Sequence, residues 1–319
     1  MSEDPIHPAA AGPEPHHPAA LAGGAAPAAP SASPTAPATT VIGPAELVRF
    51  TNVTKSFGEG AEAKVAVQNV SFVVHDLPNA GELVAIVGPS GCGKSTVLRI
   101  LAGLRPHFPP TSGEVHAFGQ PIAGPAADRG MVDQKYSLMP HLTVQENIAF
   151  GLKLRGVSGK ERRKRAHVWA KKVGLDGAED KYPSELSGGM QQRVSIAATL
   201  ILEPKILLMD EPFGALDPKI RMQMQELLIA LWREQQSTVF IVTHSMEEAV
   251  YLGDRILRMA ARPGRLVEEL EVPRPDVPPD VMRKQPWFNE LTQELLRRLE
   301  TDAPALGPLP GLEQWRAGR

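Results

Sequence analysis

Residues 83–96 begin with a short, wholly apolar run, Leu83-Val84-Ala85-Ile86-Val87. It breaks directly into Gly88-Pro89-Ser90-Gly91-Cys92-Gly93-Lys94-Ser95-Thr96. Such a run ending in glycine suits a central strand buried on both faces of a sheet. Glycines at close spacing let successive backbone N–H groups converge, and a helix opening at the same point adds the positive end of its dipole. The pattern therefore predicts a strand, an anion cradle and a helix in immediate succession. Lys94 is then expected to reach the β- and γ-phosphates of a bound nucleotide, Ser95 to ligate Mg²⁺, and the Thr96 hydroxyl to bond the α-phosphate.

Two further segments follow in order. Leu186-Ser187-Gly188-Gly189-Met190-Gln191-Gln192-Arg193 is a serine-led glycine turn at the start of a helix, a second anion site by the same physics. Ile206-Leu207-Leu208-Met209-Asp210-Glu211 is an apolar strand ending in two carboxylates. That strand is expected to lie beside the loop strand, so that Asp210 supports the metal. Strand alternation would turn Glu211 another way, toward the γ-phosphate, as a general base for water. Together the segments imply a chain that binds and splits ATP.

Periodicity fills in the remainder. Strands are predicted at 48–55, 65–74, 113–118, 129–132, 206–209 and 238–242, the first two forming an antiparallel layer across a Gly58/Gly60 turn. Helices are predicted near 93–104, 144–154, 160–173, 189–202 and 218–235, the last with Pro218 at its first position. Thr143 with Glu146, and Ser245 with Glu248, read as capping boxes. Alternating β and α elements predict a mostly parallel sheet covered on both faces. Phe288, Leu291, Leu295 and Leu299 line one side of a final helix, which is expected to dock on the body because a lone helix of that length is marginal.

Residues 1–45 are dominated by Ala, Pro, Gly, Ser and Thr and read as a disordered tail. Lys plus Arg (34) nearly balance Asp plus Glu (36), so no basic field argues for nucleic acid. The charged run over 160–172 reads as a solvated helix face. The single cysteine, Cys92, falls inside the glycine loop, which fits a reducing compartment. No stretch approaches the ~18–20 apolar residues of a spanning helix, and the N-terminus lacks the basic start of a signal peptide. A cytoplasmic chain that does not cross a membrane by itself is expected.

With these motifs in place, residues 47–271 resemble the nucleotide-binding subunits of ATP-binding cassette transporters. The resemblance implies an α/β fold: a P-loop NTPase core with a mostly parallel sheet, an antiparallel β-subdomain and an inserted α-helical subdomain. It implies a nucleotide-binding domain over 46–271, with the helical subdomain at about 135–190 and a Pro-rich linker and helical extension over 272–319. ATP and Mg²⁺ would be held by Gly88, Pro89, Ser90, Gly91, Cys92, Gly93, Lys94, Ser95, Thr96 and Asp210. Gln134 would join Mg²⁺ and the attacking water to a membrane partner, and His244 would contact the γ-phosphate. Ser95, Gln134 and Asp210 form the implied metal set; Glu211, His244 and Gln134 form the implied catalytic set. Phe57 matches the aromatic that stacks on adenine, or else is a core phenylalanine. Asp217, in Gly214-Ala215-Leu216-Asp217, matches a loop that senses the opposing subunit and also suits a helix N-cap.

By the same resemblance Ser187, Gly188 and Gly189 would grip the γ-phosphate on an opposing subunit, so that two copies close head to tail around two ATP molecules. Other implied partners are integral-membrane permease subunits and, indirectly, an extracytoplasmic solute-binding protein, with no nucleic acid. The chain would sit peripherally on the cytoplasmic face of the inner membrane. Tyr136, Leu138, Met139 and Leu142 are either contacts for the permease's coupling helix or are buried within the helical subdomain. Residues 129–134 and 142–152 and Met190 look most like the nitrate, sulfonate and taurine importer branch; an exporter or a non-transport ATPase of the same superfamily are the alternatives. Asp133 stands where an aromatic is usual, Ala198 where Arg is common and Ser245 where Asp is common, leaving the packing beneath the Gln134 loop open.

Overall fold

The computed structural model of the protein describes residues 45–77, 80–135, 137–272 and 279–301. The expected tail, apart from its last residue, lies outside these residues, as do Tyr136, most of the Pro-rich linker and the chain after 301. Alternating apolar residues make Glu46–Phe57 (β1) and Lys64–His75 (β2) an antiparallel pair. Leu83–Val87 (β3) is buried at every position, and Lys94–Leu101 (α1) follows the glycine loop. Helix α1 stops short of the predicted 104 because the chain turns at Gly103, which has φ +75° and lies against the backbone of Gly124. Ser112–Ala117 (β4) and Gln120–Pro121 (β5) complete a four-stranded sheet in the order β2-β1-β4-β5.

Then come Arg129–Val132 (β6), Val144–Leu154 (α2), Gly159–Lys172 (α3), Gly188–Leu200 (α4), Ile206–Asp210 (β7), Pro218–Gln235 (α5), Thr238–Val242 (β8) and Met246–Leu252 (α6). Arg255–Ala260 (β9) and Arg265–Glu271 (β10) close a second sheet in the order β10-β9-β3-β8-β7-β6. Only the β9–β10 pair is antiparallel. This corrects one expectation: β7 does not lie beside the loop strand β3, because β8 is hydrogen-bonded between them. The insertion brings the carboxyl ends of β3, β8 and β7 into adjacent positions, and open α/β sheets carry ligand sites at such ends.

The pleat of β3 divides the core. Leu83, Ala85 and Val87 face a cluster shared with α2 to α6, while Val84 and Ile86 face α1 and the antiparallel sheet. Both faces are covered, one by helices and the other largely by strands. Pro279–Met282 (α7) and Pro286–Thr301 (α8) follow. Trp287, Phe288, Leu291 and Leu295 are buried in the same cluster as α6, with Leu299 partly buried against it. Each large side chain contributes about 1.5–3 kcal/mol on burial, enough to hold a helix that would be marginal alone. Among the described residues no helix is long and apolar enough to cross a membrane.

Candidate active site

The glycine loop packs as tightly as its composition suggests. A Cβ on Gly88 would lie 2.6 Å from Cys92 Sγ and from the Met259 carbonyl oxygen. Gly93 has φ +90° and caps α1, and a Cβ there would lie 2.3 Å from Val67. Side chains are thus excluded where the loop meets β9 and β2. Lys94 is buried and arches back over the loop, donating to the carbonyls of Gly88 at 2.9 Å and Pro89 at 3.0 Å. Cys92 is buried beneath it, and burial raises its thiol pKa above the ordinary value despite the nearby Lys94 charge.

Ser95, one residue into α1, donates to Asp210 Oδ1 at 2.7 Å. The contact runs from α1 across to the end of β7, so Asp210 reaches the loop although its strand is one removed from β3. The other oxygen, Asp210 Oδ2, lies 3.2 Å from Arg99 on α1, which also lies 3.7 Å from Asp133 Oδ1. Arg99 gave no signal in the sequence, since an arginine on an amphipathic helix reads as surface. It accounts for Asp133, whose carboxylate stands beside a guanidinium shared with Asp210.

Glu211 has left β7 and has φ +47°, in a left-handed region that costs a non-glycine residue about 1–3 kcal/mol. Its N–H donates to Val242 O at 2.9 Å, which ties this strained residue to the end of β8. Its separation from Asp210 therefore comes from a backbone turn rather than from the strand pleat. Glu211 Oε2 lies 3.4 Å from Gln134 Nε2 and 3.5 Å from His244 Nδ1. Gln134 and His244 are both exposed, so the cluster opens to the surface.

Buried Asn147 on α2 shapes the loop after Gln134. Its amide donates to Met139 O, Leu142 O and Thr143 O at 2.9–3.1 Å and accepts from Met139 N–H at 2.8 Å. Leu138, Met139 and Leu142 are left half-exposed. Thr143 and Glu146 form the full capping box of α2. At α6 only half of the expected box exists: Ser245 accepts from Glu248 N–H, but the Glu248 carboxylate turns inward to Gln225 on α5.

Phe57, at the end of β1, is half-exposed. Its ring lies edge-on to His107 at 5.3 Å, with Lys55 Nζ at 5.3 Å from its centroid. Ser187 caps α4 by accepting from Met190 N–H, and Asp217 caps α5 by accepting from Ile220 N–H. A Cβ on Gly189 would meet Ile220 at 2.7 Å, so the two helix starts touch. Ser187, Gly188 and Asp217 are exposed. Among the described residues no hydrogen bond joins them to the 88–96 loop.

The donor set fits a nucleoside triphosphate with a divalent cation. Loop amides and a buried ammonium suit polyphosphate, while a hydroxyl, a carboxylate and an amide oxygen suit a hard oxygen-seeking ion. Comparison with known proteins points the same way. Residues 67–214 match the family model described as ABC transporter. The chain is 43% identical to the nitrate import ATP-binding protein NrtD of Synechocystis, over 80% of this chain and 97% of that protein. It is 46% identical to the taurine import ATP-binding protein TauB of Burkholderia pseudomallei, over 75% and 92% respectively. A dimeric ATP-binding cassette solved in a post-hydrolysis state with ADP and Pi is 36% identical, with a TM-score of 0.61 over 70% of this chain and 98% of that one.

Proposed function

The chain belongs to the ABC transporter family as an ATP-binding subunit, and from that premise we propose that it hydrolyses ATP between two copies of itself to energise import of a small solute. The convergence of Gln134 and His244 on one carboxylate oxygen of Glu211, beside the Ser95–Asp210 pair, carries this reading. Residues 46–271 form the nucleotide-binding domain in this reading, with the helical subdomain at about 135–190.

The loop amides of residues 88–96 and Lys94 bind the phosphates. Lys94 exchanges its carbonyl partners for phosphate oxygens, and Thr96 bonds the α-phosphate. Ser95, Asp210 and Gln134 would hold Mg²⁺, which would supply positive charge to offset the charge developing on the phosphate. Glu211 Oε2 takes the proton of the attacking water. His244 stays in reach of both Glu211 and the γ-phosphate and orients the leaving oxygens. Phe57, half-exposed at the rim, stacks on adenine.

Ser187, Gly188, Gly189 and Asp217 act on the second copy's nucleotide. Their outward position at two touching helix starts supports this, as does the similarity to a cassette solved as a dimer. Nucleotide gripped from both sides favours the closed pair, and its hydrolysis removes that preference. Moving the pair from 1:99 to 99:1 closed requires about 5.5 kcal/mol of differential binding.

The half-exposed Leu138, Met139 and Leu142 contact permease subunits, so the protein sits peripherally on the cytoplasmic face of the inner membrane, and an extracytoplasmic binding protein delivers the solute. The solute is a small anion or zwitterion of the nitrate, sulfonate or taurine kind, in line with the named relatives. Co-purification of the permease, followed by reconstitution in vesicles with each of these solutes, tests the proposal. Solute-stimulated ATP turnover with inward flux is expected; flux in the opposite direction, or turnover indifferent to the permease, would contradict it.

A further inference from the structure

A buried polar chain connects the C-terminal segment to the turn that carries His244. Arg283, just after α7, donates to Gln225 Oε1 at 2.8 Å, and Gln225 Nε2 donates to Glu248 Oε1 at 2.9 Å. Gln225 on α5 and Glu248 on α6 are only 4% and 5% exposed. The Thr243 hydroxyl lies near enough to the Glu248 carboxylate to favour its charged form. Thr243 Oγ1 in turn accepts from Ser245 N–H at 3.0 Å, and Ser245 Oγ accepts from Glu248 N–H at 3.2 Å. The chain therefore grips the residues on either side of His244 while leaving its imidazole exposed.

Arg283 is held by packing and by its Nη2, while Nε and Nη1 are buried without a hydrogen-bond partner among the described residues. Its guanidinium carbon lies 4.3 Å from the Tyr251 ring centroid, and Nε lies 3.5 Å from Glu247. Burial of Met282, Trp287 and Phe288 anchors the segment on both sides of it. Gln225 sits on the helix whose N-cap is Asp217. A single amide thus touches the C-terminal segment, the Asp217 helix and the carboxylate beneath His244.

We propose that Arg283 is a positioning residue for the ATPase reaction, acting through Gln225 and Glu248 to hold the His244 turn. Fixing the Gln225 carbonyl on Arg283 turns its amide toward Glu248, and the start of α6 so held, with Glu248 N–H on Ser245 Oγ and the Glu248 carboxylate near Thr243, steadies the turn. An amide free to rotate would offer Glu248 either a donor or an acceptor, and only the donor sustains the chain. The inference rests on the reading of His244 as part of the γ-phosphate site.

The test uses the purified full-length chain and measures steady-state ATP turnover together with thermal melting. A hydrogen bond to a charged group of this kind corresponds to roughly a tenfold rate effect when only the reacting geometry depends on it. Arg283→Met should lower kcat about tenfold, with KM for ATP and Tm nearly unchanged, and Arg283→Lys should restore most of the rate. In a Gln225→Met background Arg283→Met should add nothing further, since coupled residues are non-additive. Full kcat in Arg283→Met, fully additive losses, or a loss that merely follows a fall in Tm would overturn the proposal. If Arg283→Met does not fold, Gln225→Met alone decides, by the same split between kcat and KM. Glu211→Gln is the control: if it abolishes turnover while Arg283→Met is fully active, the inference alone fails. If Glu211→Gln turns over normally, the reading of the site itself fails.

Discussion

Glu211 Oε2 lies 3.4 Å from Gln134 Nε2, although the two residues belong to the ends of different strands. His244 Nδ1 approaches the same oxygen at 3.5 Å. Removing the base while keeping its shape should separate binding from chemistry. Glu211→Gln is expected to lower kcat by about 10²–10⁴ with ATP affinity preserved, measured by phosphate release and equilibrium nucleotide binding. Undiminished turnover would remove Glu211 from the reaction.

Arg99 stands between Asp210 Oδ2 and Asp133 Oδ1. Both Arg99 and Asp133 are more than a third exposed, so this pair adds only about 0–1 kcal/mol of stability. Asp133→Asn should therefore leave Tm almost unchanged. It should raise the Mg²⁺ concentration needed for half-maximal turnover, because Arg99 then interacts with Asp210 alone and competes with the ion. A Mg²⁺ titration identical to that of the parent would show that Asp133 does not influence the metal carboxylate.

Arg258 and Arg298, both almost fully buried, meet on Glu268. Arg258 Nε donates to Glu268 Oε2 at 2.7 Å, and Arg298 donates to Oε1. Removing a carboxylate buried between two guanidinium groups leaves charge uncompensated. Glu268→Ala is expected to destabilise the chain by about 3–5 kcal/mol, read from urea unfolding. A loss under about 1 kcal/mol would mean that water or neighbouring groups replace the carboxylate.

Burial raises the Glu248 pKa above the ordinary carboxylate value, and hydrogen bonds from Thr243 and Gln225 with the charges of Arg221 and His244 offset this only in part. An acid with a raised folded pKa binds protons more tightly when folded. Its contribution to stability is complete below the unfolded value of about 4.3 and is lost as pH rises through the folded pKa. Glu248→Gln removes this loss. The Tm of the variant relative to the parent should therefore increase from pH 4 toward pH 8, and a difference that stays flat or falls would contradict the sign.

The chemistry of this chain was more legible than its scaffold. Gly88, Gly93 and Lys94 announce themselves because a phosphate cradle tolerates few other residues at those positions. Strands β9 and β10 were not legible, since buried Arg258 and Glu268 satisfy one another inside the fold but read as polar interruptions along the chain. The insertion of β8 between β3 and β7 is a matter of topology, which local periodicity does not encode. Strand alternation predicts that Glu211 points away from Asp210, whereas the structure separates the two through a left-handed backbone at Glu211. Ser245 and Glu248 matched a capping box, but an inward bond to Gln225 claimed the carboxylate. Gln225 left one faint trace: an amide next to Met224 on a helix whose Leu228 and Leu231 are core positions.

In the proposed dimer the Ser187–Gly189 helix start of one copy completes the site of the other. The most direct measurement is therefore phosphate release per protomer across a wide dilution series, with molar mass followed by light scattering. Specific activity should climb as dimer forms in the presence of ATP and fall toward zero where only monomer remains. Constant specific activity down to a strictly monomeric solution would contradict a site built from two copies.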